Sequence, residues 1–501
     1  MVDIRSMTAS QTSARLLRWV GGLLLLLGVG IRFNNALRFR PELGFDAVGN
    51  LEYLRHLQSS WALPPPESLW SASHPPFFYY SAAALWRSLS AVGMGDSLLS
   101  VLAVANSILG LLVVAIVFAF VRKLEPDDGL RSALAAGLIL FLPVHLYMSP
   151  MVGEEVLLCL LVTEALAYAA WRLPEPPRAR DVMGIGLICG LALLTKLSGI
   201  LVAAAIVLTW ALGARARRQW PAAVAPTALL GAAVLCVGGW FYAYNWLTYG
   251  YLYPQDLTIH QKMFEFPPGA RGILDYVRLP LATFTDPQLL NPDLLHSVWG
   301  STYATIFFDG HRHFLPNSAG ASRMGTLILG LALVPTVAFF VGLARAFRRA
   351  VAEPGGRDTL LLSMVALTLA GYVVFTWGNP WFVTLKGSYL LGLSLPFAVY
   401  ASEVLAAWIK RPGPAGKFVA LALCGLVTLV VVSFTIGPVF DKQDRGVRKH
   451  RQSTPATGFM PGEAQPIGQG QRTLGSGALD SRVRTENTLR GMSTSTLIFS
   501  R

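Results

Sequence analysis

Apolar runs of about 20 residues, the length of a helix that crosses a bilayer, recur along the chain between short polar connections. The pattern predicts about eleven spans, at 16–33, 97–121, 131–149, 154–172, 182–195, 197–213, 222–246, 324–344, 358–376, 387–408 and 417–437. The pair 182–195 and 197–213 is short and reads as a broken hairpin with Lys196 at its turn. Two connections are long, 34–96 and 247–323. In the first, Leu51, Leu54, Leu57 and Trp61 recur at helical spacing with Glu52, His56 and Ser59 opposite, as in a helix lying in the membrane interface. Pro64, Pro65 and Pro66 end that helix, because proline lacks the amide donor and clashes with the preceding turn. A second amphipathic piece starts after Pro75 and Pro76. Residues 1–440 therefore read as one all-α polytopic membrane domain, and 441–501, rich in Gly, Ser, Thr, Pro and Arg, as a disordered tail.

Composition agrees: 14% of residues are charged, against roughly 25% in soluble proteins, and 53% are hydrophobic. A formal net charge of +13 raises nucleic acid as a partner, but the basic residues cluster in short connections instead. These are Arg122, Lys123 and Arg131; Arg172, Arg178 and Arg180; Arg215, Arg217 and Arg218; Arg345, Arg348 and Arg349; Lys410, Arg411 and Lys417. All fall on one side, which the positive-inside rule makes cytoplasmic, so the expected partners are membrane lipids and no nucleic acid. The outer side then receives 34–96, 150–153, Lys196, 247–323 and 377–386. Eleven spans put the tail outside despite its basic start, so either it is translocated regardless of charge or the count is off by one. The N-terminal run lacks a small-residue cleavage site and reads as an uncleaved first span. Cys159, Cys189, Cys236 and Cys424 have neither metal spacing nor a disulfide pattern and read as small core residues.

The residues with chemical promise all lie on the outer side. Asp46 stands at a helix start, where it can cap the helix, act as a base, or both. Glu154 and Glu155 stand at another helix start, favoured there by the macrodipole and also suited to a cation or a polar substrate. Lys196 interrupts a long apolar stretch, where a central charge costs about 2.5–3.5 kcal/mol unless it pairs or reaches an interface. It reads either as a turn marker or as a ligand for a lipid phosphate. His74 is held extended by the proline after it. Lys386 and Tyr389 repeat the pattern of a cation just outside a span. Asp309, His311 and His313 suit a metal, but a solvated loop is the simpler reading. No cofactor is implied outright; a divalent metal ion is the one the acids suit. Cations suit an anionic lipid head, and a carboxylate suits deprotonating an incoming hydroxyl.

The strings GFDAVGNLEYL, SHPPFFYY, YMSPMVGEEVLL, LLTKLSG, NWLTYG and KGSYLLGLSLP resemble, in this order over most of 16–400, the integral-membrane glycosyltransferases of the GT-C fold. The resemblance is to the branch of protein O-mannosyltransferases and lipid A aminoarabinose transferases. It implies a sugar donor on polyprenyl phosphate, a protein, lipid or glycan acceptor, an active site on the outer face of the cytoplasmic membrane, and inversion at the sugar carbon. By that resemblance Asp46 matches the catalytic base, and His74, Lys196 and Lys386 match groups near the donor phosphate. Glu154 or Glu155 matches an acid that positions the acceptor or a metal. The chain departs from the pattern where Ala47 follows Asp46 in place of a second acid. It departs again where Ser73 replaces a metal-binding Glu, and where Gly-Ser-Tyr follows Lys386 in place of Arg-Tyr. The alternative reading is a polytopic transporter or lipid flippase. That class needs charges at mid-membrane depth, of which the spans carry few apart from Glu164, expected to face the bundle.

Overall fold

A computed structural model describes residues 4–173, 177–253, 269–288 and 291–436, with side chains from Trp19 onward. Of the two compact units, Met1–Gly446 and Val447–Arg501, the second, with the expected tail, lies outside these residues. The described residues form helices and no strands. The longer helices are α1 (Ile4–Arg38), α2 (Ala47–Ser59), α3 (Phe77–Ala91), α4 (Leu98–Leu124), α5 (Gly129–Leu140), α6 (Pro143–Met148), α7 (Glu155–Arg172) and α8 (Ala179–Thr195). They continue as α9 (Ile200–Ala216), α10 (Pro221–Val234), α11 (Trp240–Tyr249), α12 (Val298–Phe307), α13 (Ala319–Ala352), α14 (Arg357–Gly378), α15 (Ser394–Ile409) and α16 (Pro414–Ile436).

Among the described residues, eight helical segments are long and apolar enough to cross a membrane, which makes this an all-α polytopic membrane protein. Three of the eleven expected spans fall outside that set: α5 and α8 are short at 12 and 17 residues, and α7 carries Glu155, Glu164 and Arg172. Glu164 is exposed on α7 and does not face the bundle. Cys159 and Cys189 are core residues as expected, whereas Cys236 and Cys424 are exposed on their helices.

The first long connection folds onto the bundle. The α2 stripe of Leu51, Leu54 and Leu57 is covered by Phe78, Tyr79 and Ala82 of α3 and by Leu98 and Leu102 of α4. Apolar surface that suggested an interfacial helix is thus buried in protein contacts. The helix stops at Ser59, ahead of the three prolines, where Ser60 turns extended.

α5 cannot run unbroken into α6, because Pro143 stands at the start of α6, and the last carbonyls of α5 need partners. Arg32 of α1, fully buried, supplies them: its guanidinium donates to the carbonyls of Ile139, Leu140 and His145 and to Ser149 Oγ. Next along this segment, Asn106 of α4 donates to Met151 O and Asn50 of α2 to Val152 O, each at 2.8 Å. Buried carbonyls outside regular structure need such partners, and these bonds fix the approach to Glu154 and Glu155.

The helices that end at this point are polar in one sense. α7 starts at Glu155 and finishes at Arg172; α8 starts beside Arg178 and Arg180 and finishes at Lys196. α9 starts four residues past Lys196 and carries Arg215 in its last turn, and α14 runs from Arg357 toward the segment that holds Lys386.

Candidate active site

Five charged residues from four distant stretches meet at the ends of these helices. Lys386 Nζ donates to Asp46 Oδ2 at 2.9 Å. Lys196 Nζ donates to Glu154 Oε1 at 2.9 Å and to Glu155 Oε1 at 2.8 Å. His74 Nδ1 lies 3.9 Å from Glu154 Oε1. Every site residue named from the sequence therefore falls in one cluster. A cavity of about 10 Å³, room for roughly one water, lies between Asp46 and the acid pair, with Phe45, Asn50 and Val152 also in its wall.

Asp46 holds the N-cap position of α2 but does not cap it. Its backbone is left-handed (φ 55°) and its carboxylate makes no bond to the helix amides. Aspartate tolerates this conformation better than most residues, and the carboxylate engages Lys386 instead. Burial works to raise the Asp46 pKa, but Lys386 beside it, with smaller help from His74 and Lys196, holds it below the usual carboxylate range.

Lys196 stands at the break between α8 and α9, with extended backbone (φ −159°, ψ 142°) before one turn of 3-10 helix. Burial disfavours its charge, yet Glu154 and Glu155 outweigh that and push it well above the ordinary lysine range. The charge that looked costly in the sequence is thus neutralised by two acids.

Lys386 is placed by Gly387, whose amide donates to Thr305 Oγ1 of α12 at 2.8 Å. A Cβ on Gly387 would sit 2.7 Å from Ile306 N and 2.9 Å from Thr305 C, so only glycine permits this approach. Here lies a physical reason for glycine after the lysine. Lys386 Nζ also stands 4.8 Å from the Phe45 ring centroid, a cation–π contact.

Phe45 in turn packs against His313 and His311, at 4.3 and 5.1 Å between ring centroids. The 309–313 segment is not the solvated loop expected of it: Asp309 is 1% exposed and accepts from the amides of His313, Phe314 and Leu315. His311 donates to Leu385 O and His313 to Leu43 O. Burial, reinforced by His313 and Lys386, lowers the His311 pKa to about 3; burial lowers His313 as well. Both rings pack behind Phe45, each with one nitrogen bonded to a backbone carbonyl.

The donor set does not fit a divalent cation. Among the described residues no three His, Cys, Asp or Glu side chains converge as ligands, and each acid of the site already faces an ammonium group. Asn50 and Tyr79 belong to the cluster but were not singled out in the sequence. The Tyr79 hydroxyl lies 2.7 Å from Asn50 Oδ1, 2.8 Å from His74 Nδ1 and 3.5 Å from Glu154 Oε2. Asn50 had one legible signal, a polar residue four positions after Asp46 and so on the same side of its helix.

Residues 73–241 match a family model described as dolichyl-phosphate-mannose-protein mannosyltransferase. No curated protein sequence matches the chain. Among solved structures it is similar to the apo oligosaccharyltransferase of Archaeoglobus fulgidus, at 14% identity and TM-score 0.46, covering 87% of this chain and 58% of that one. It is also similar to ArnT from Cupriavidus metallidurans bound to undecaprenyl phosphate, at 18% identity and TM-score 0.38, covering 87% of this chain and 81% of that one. The chain thus spans less than two thirds of the oligosaccharyltransferase it matches. The family match covers about a third of the chain, the segment 73–241 that carries His74, Glu154, Glu155 and Lys196.

Proposed function

We propose that this chain transfers a sugar, with inversion, from a polyprenyl-phosphate donor to an acceptor hydroxyl of a protein, lipid or glycan, at the outer face of a cytoplasmic membrane. The observation that carries this reading is the convergence of two lysines and three acids at one end of the bundle. The matching family is described by a dolichyl-phosphate sugar, and a phosphate on a lipid is the ligand that two such lysines suit. The outer face is supported by the basic far ends of α7 and α9 and the basic start of α8.

Asp46 is the general base. Its side chain is 32% exposed, against 4% for Glu154 and 10% for Glu155, so it is the acid an acceptor reaches. As the acceptor oxygen attacks the anomeric carbon, its proton passes to Asp46 and the bond from that carbon to the phosphate oxygen breaks. The phosphodiester leaves as a monoester with one more negative charge, stabilised by Lys386, Lys196 and His74. At rest Lys386 keeps Asp46 ionised but weak as a base. A donor phosphate that competes for Lys386 raises the proton affinity of Asp46 when it is needed. Glu154 and Glu155 hold Lys196 in place. A transporter or flippase would need its charged groups at mid-depth in broken helices; a cluster at helix ends favours transfer.

Asp46→Asn tests the reading. Transfer should fall by about 10²–10⁴-fold, the usual worth of a general base, with expression and donor binding kept. Retained transfer would remove Asp46 from this role.

A further inference from the structure

The stretch from Ile273 to Leu281 reverses the polarity of a water-facing loop. Ile273, Leu274, Val277, Leu279 and Leu281 are 58–75% exposed, whereas Asp275 is buried, its Oδ1 3.7 Å from His296 Nδ1. The other oxygen, Oδ2, accepts from the Gly272 amide at 3.2 Å. Five large apolar side chains exposed within nine residues call for a partner. The α2 stripe, expected at the membrane interface, is covered by protein; this one stays open among the described residues.

Its place along α14 says what lies against it. The Tyr276 hydroxyl is 2.9 Å from Thr376 Oγ1 and 3.4 Å from Val373 O, and the Tyr276 ring is 5.8 Å from that of Trp377. α14 is one of the helices long and apolar enough to cross a membrane. Val373 lies five residues before its end at Gly378, about 7.5 Å along the helix axis. Val374 and Trp377, on the same last turns, are exposed, and on a spanning helix such side chains face lipid. The loop is therefore held beside the end of a span, and its apolar side chains extend that span's lipid face. Its backbone suits this surrounding, where no water is at hand to pair an amide or a carbonyl. Trp299 Nε1 donates to Tyr276 O at 3.0 Å and Ser297 Oγ to Arg278 O at 2.7 Å. The amides of Val277 and Arg278 both donate to Leu274 O, and Pro280 has no amide to satisfy.

We propose that residues 273–281 form a foot inserted into the phospholipid leaflet at the site's end of the bundle. Ile273, Leu274, Val277, Leu279 and Leu281 lie among acyl chains, and the exposed Arg278 extends its stem back to the lipid phosphates. Foot and site share one packing unit: Tyr276 and Trp299 pack on Val298, Tyr372 and Leu385, the residue before Lys386. Arg271, just ahead of the foot, donates to Trp381 O on the same approach to Lys386. Lipid is thus a partner that sets the height of Lys386 relative to the bilayer. None of this depends on what the site transfers.

Nitroxide labels test the foot in full-length protein carrying Cys236→Ser and Cys424→Ser, which remove the two exposed cysteines. Leu274→Cys, Val277→Cys, Leu281→Cys and Arg278→Cys are labelled one at a time and reconstituted into phosphatidylcholine–phosphatidylglycerol vesicles. The replaced side chains are all exposed, so the labels leave the packing intact. Oxygen, which partitions into lipid, should relax the labels at 274, 277 and 281 more than a water-soluble nickel chelate does. The label at 278 should shift toward the chelate. Stronger relaxation by nickel at 274 and 277 places the face in water and overturns the proposal. Protection from both agents, or dipolar broadening between labels on two copies, means that protein covers the face and overturns it equally. A label at 278 as dry as its neighbours overturns the phosphate contact.

Discussion

Lys196 and Lys386, 190 positions apart in sequence, face one aromatic ring: their Nζ atoms lie 5.2 and 5.9 Å from the centroid of Tyr389. Tyr389 thereby brings two cations together that would otherwise repel. Each ammonium has its own anionic partner, Glu154 and Glu155 for one and Asp46 for the other. Two carboxylate–lysine groups separated by a ring make a cluster that is almost charge-balanced at rest. Under the proposed function, an added phosphate recruits the lysines from it.

Replacing Lys196 with Ala should affect both substrate use and stability. The donor KM should rise far more than the acceptor KM, because the proposed partner is the phosphate. Glu154 and Glu155, both buried, would lose their cation, and breaking a buried pair costs about 3–5 kcal/mol, so the melting temperature should drop as well. Steady-state kinetics with each substrate varied separately checks the first effect. Equal changes in both KM values would argue against a phosphate role.

Gly387→Ala probes the placement of Lys386 without touching a charge. The new methyl would meet backbone atoms of Thr305 and Ile306, at 2.9 and 2.7 Å, which cannot turn aside as a flexible side chain can. Overpacking of this kind costs about 1–3 kcal/mol. Lys386 should shift off Asp46, and transfer should fall together with thermal stability. A variant of wild-type stability and activity would show that the approach to α12 is dispensable.

Stability should depend on pH through His311. Its folded pKa is lowered to about 3 while the unfolded imidazole titrates near 6.5. Between those values the unfolded chain binds the extra proton, so stability is full above about pH 6.5 and declines as pH falls. The slope from this group approaches 1.4 kcal/mol per pH unit. Melting temperatures of wild type and His311→Asn across that window check it. The variant should show the shallower dependence, and identical slopes would assign the acid sensitivity elsewhere.

Removing divalent cations should leave transfer unchanged, because the acids of the site are matched by Lys196 and Lys386 and not arranged as a ligand set. Assay after exhaustive chelation, with and without added magnesium or manganese, decides this. Loss on chelation that is restored by a metal would mean that the lysines leave their carboxylates to make room for it.

Hydrophobic periodicity alone determined that this is an all-helical chain built into a membrane, because a bilayer admits helices only of a certain length and apolarity. It also marked Asp46, Glu154, Glu155, Lys196 and Lys386, since a charge beside an apolar run is conspicuous wherever the chain later takes it. Pairing was not legible. Nothing in the spacing shows that Lys386 meets Asp46 while Lys196 takes both glutamates, because those contacts join residues as far as 340 positions apart. Nor does local pattern reveal that α2 spends its leucines on α3, or that Asp46 leaves its own helix uncapped. Asn50 and Tyr79 joined the cluster only once the fold brought Val152 O and Glu154 beside them. Local sequence sets which groups are expensive to bury; tertiary packing alone settles which partner relieves each of them.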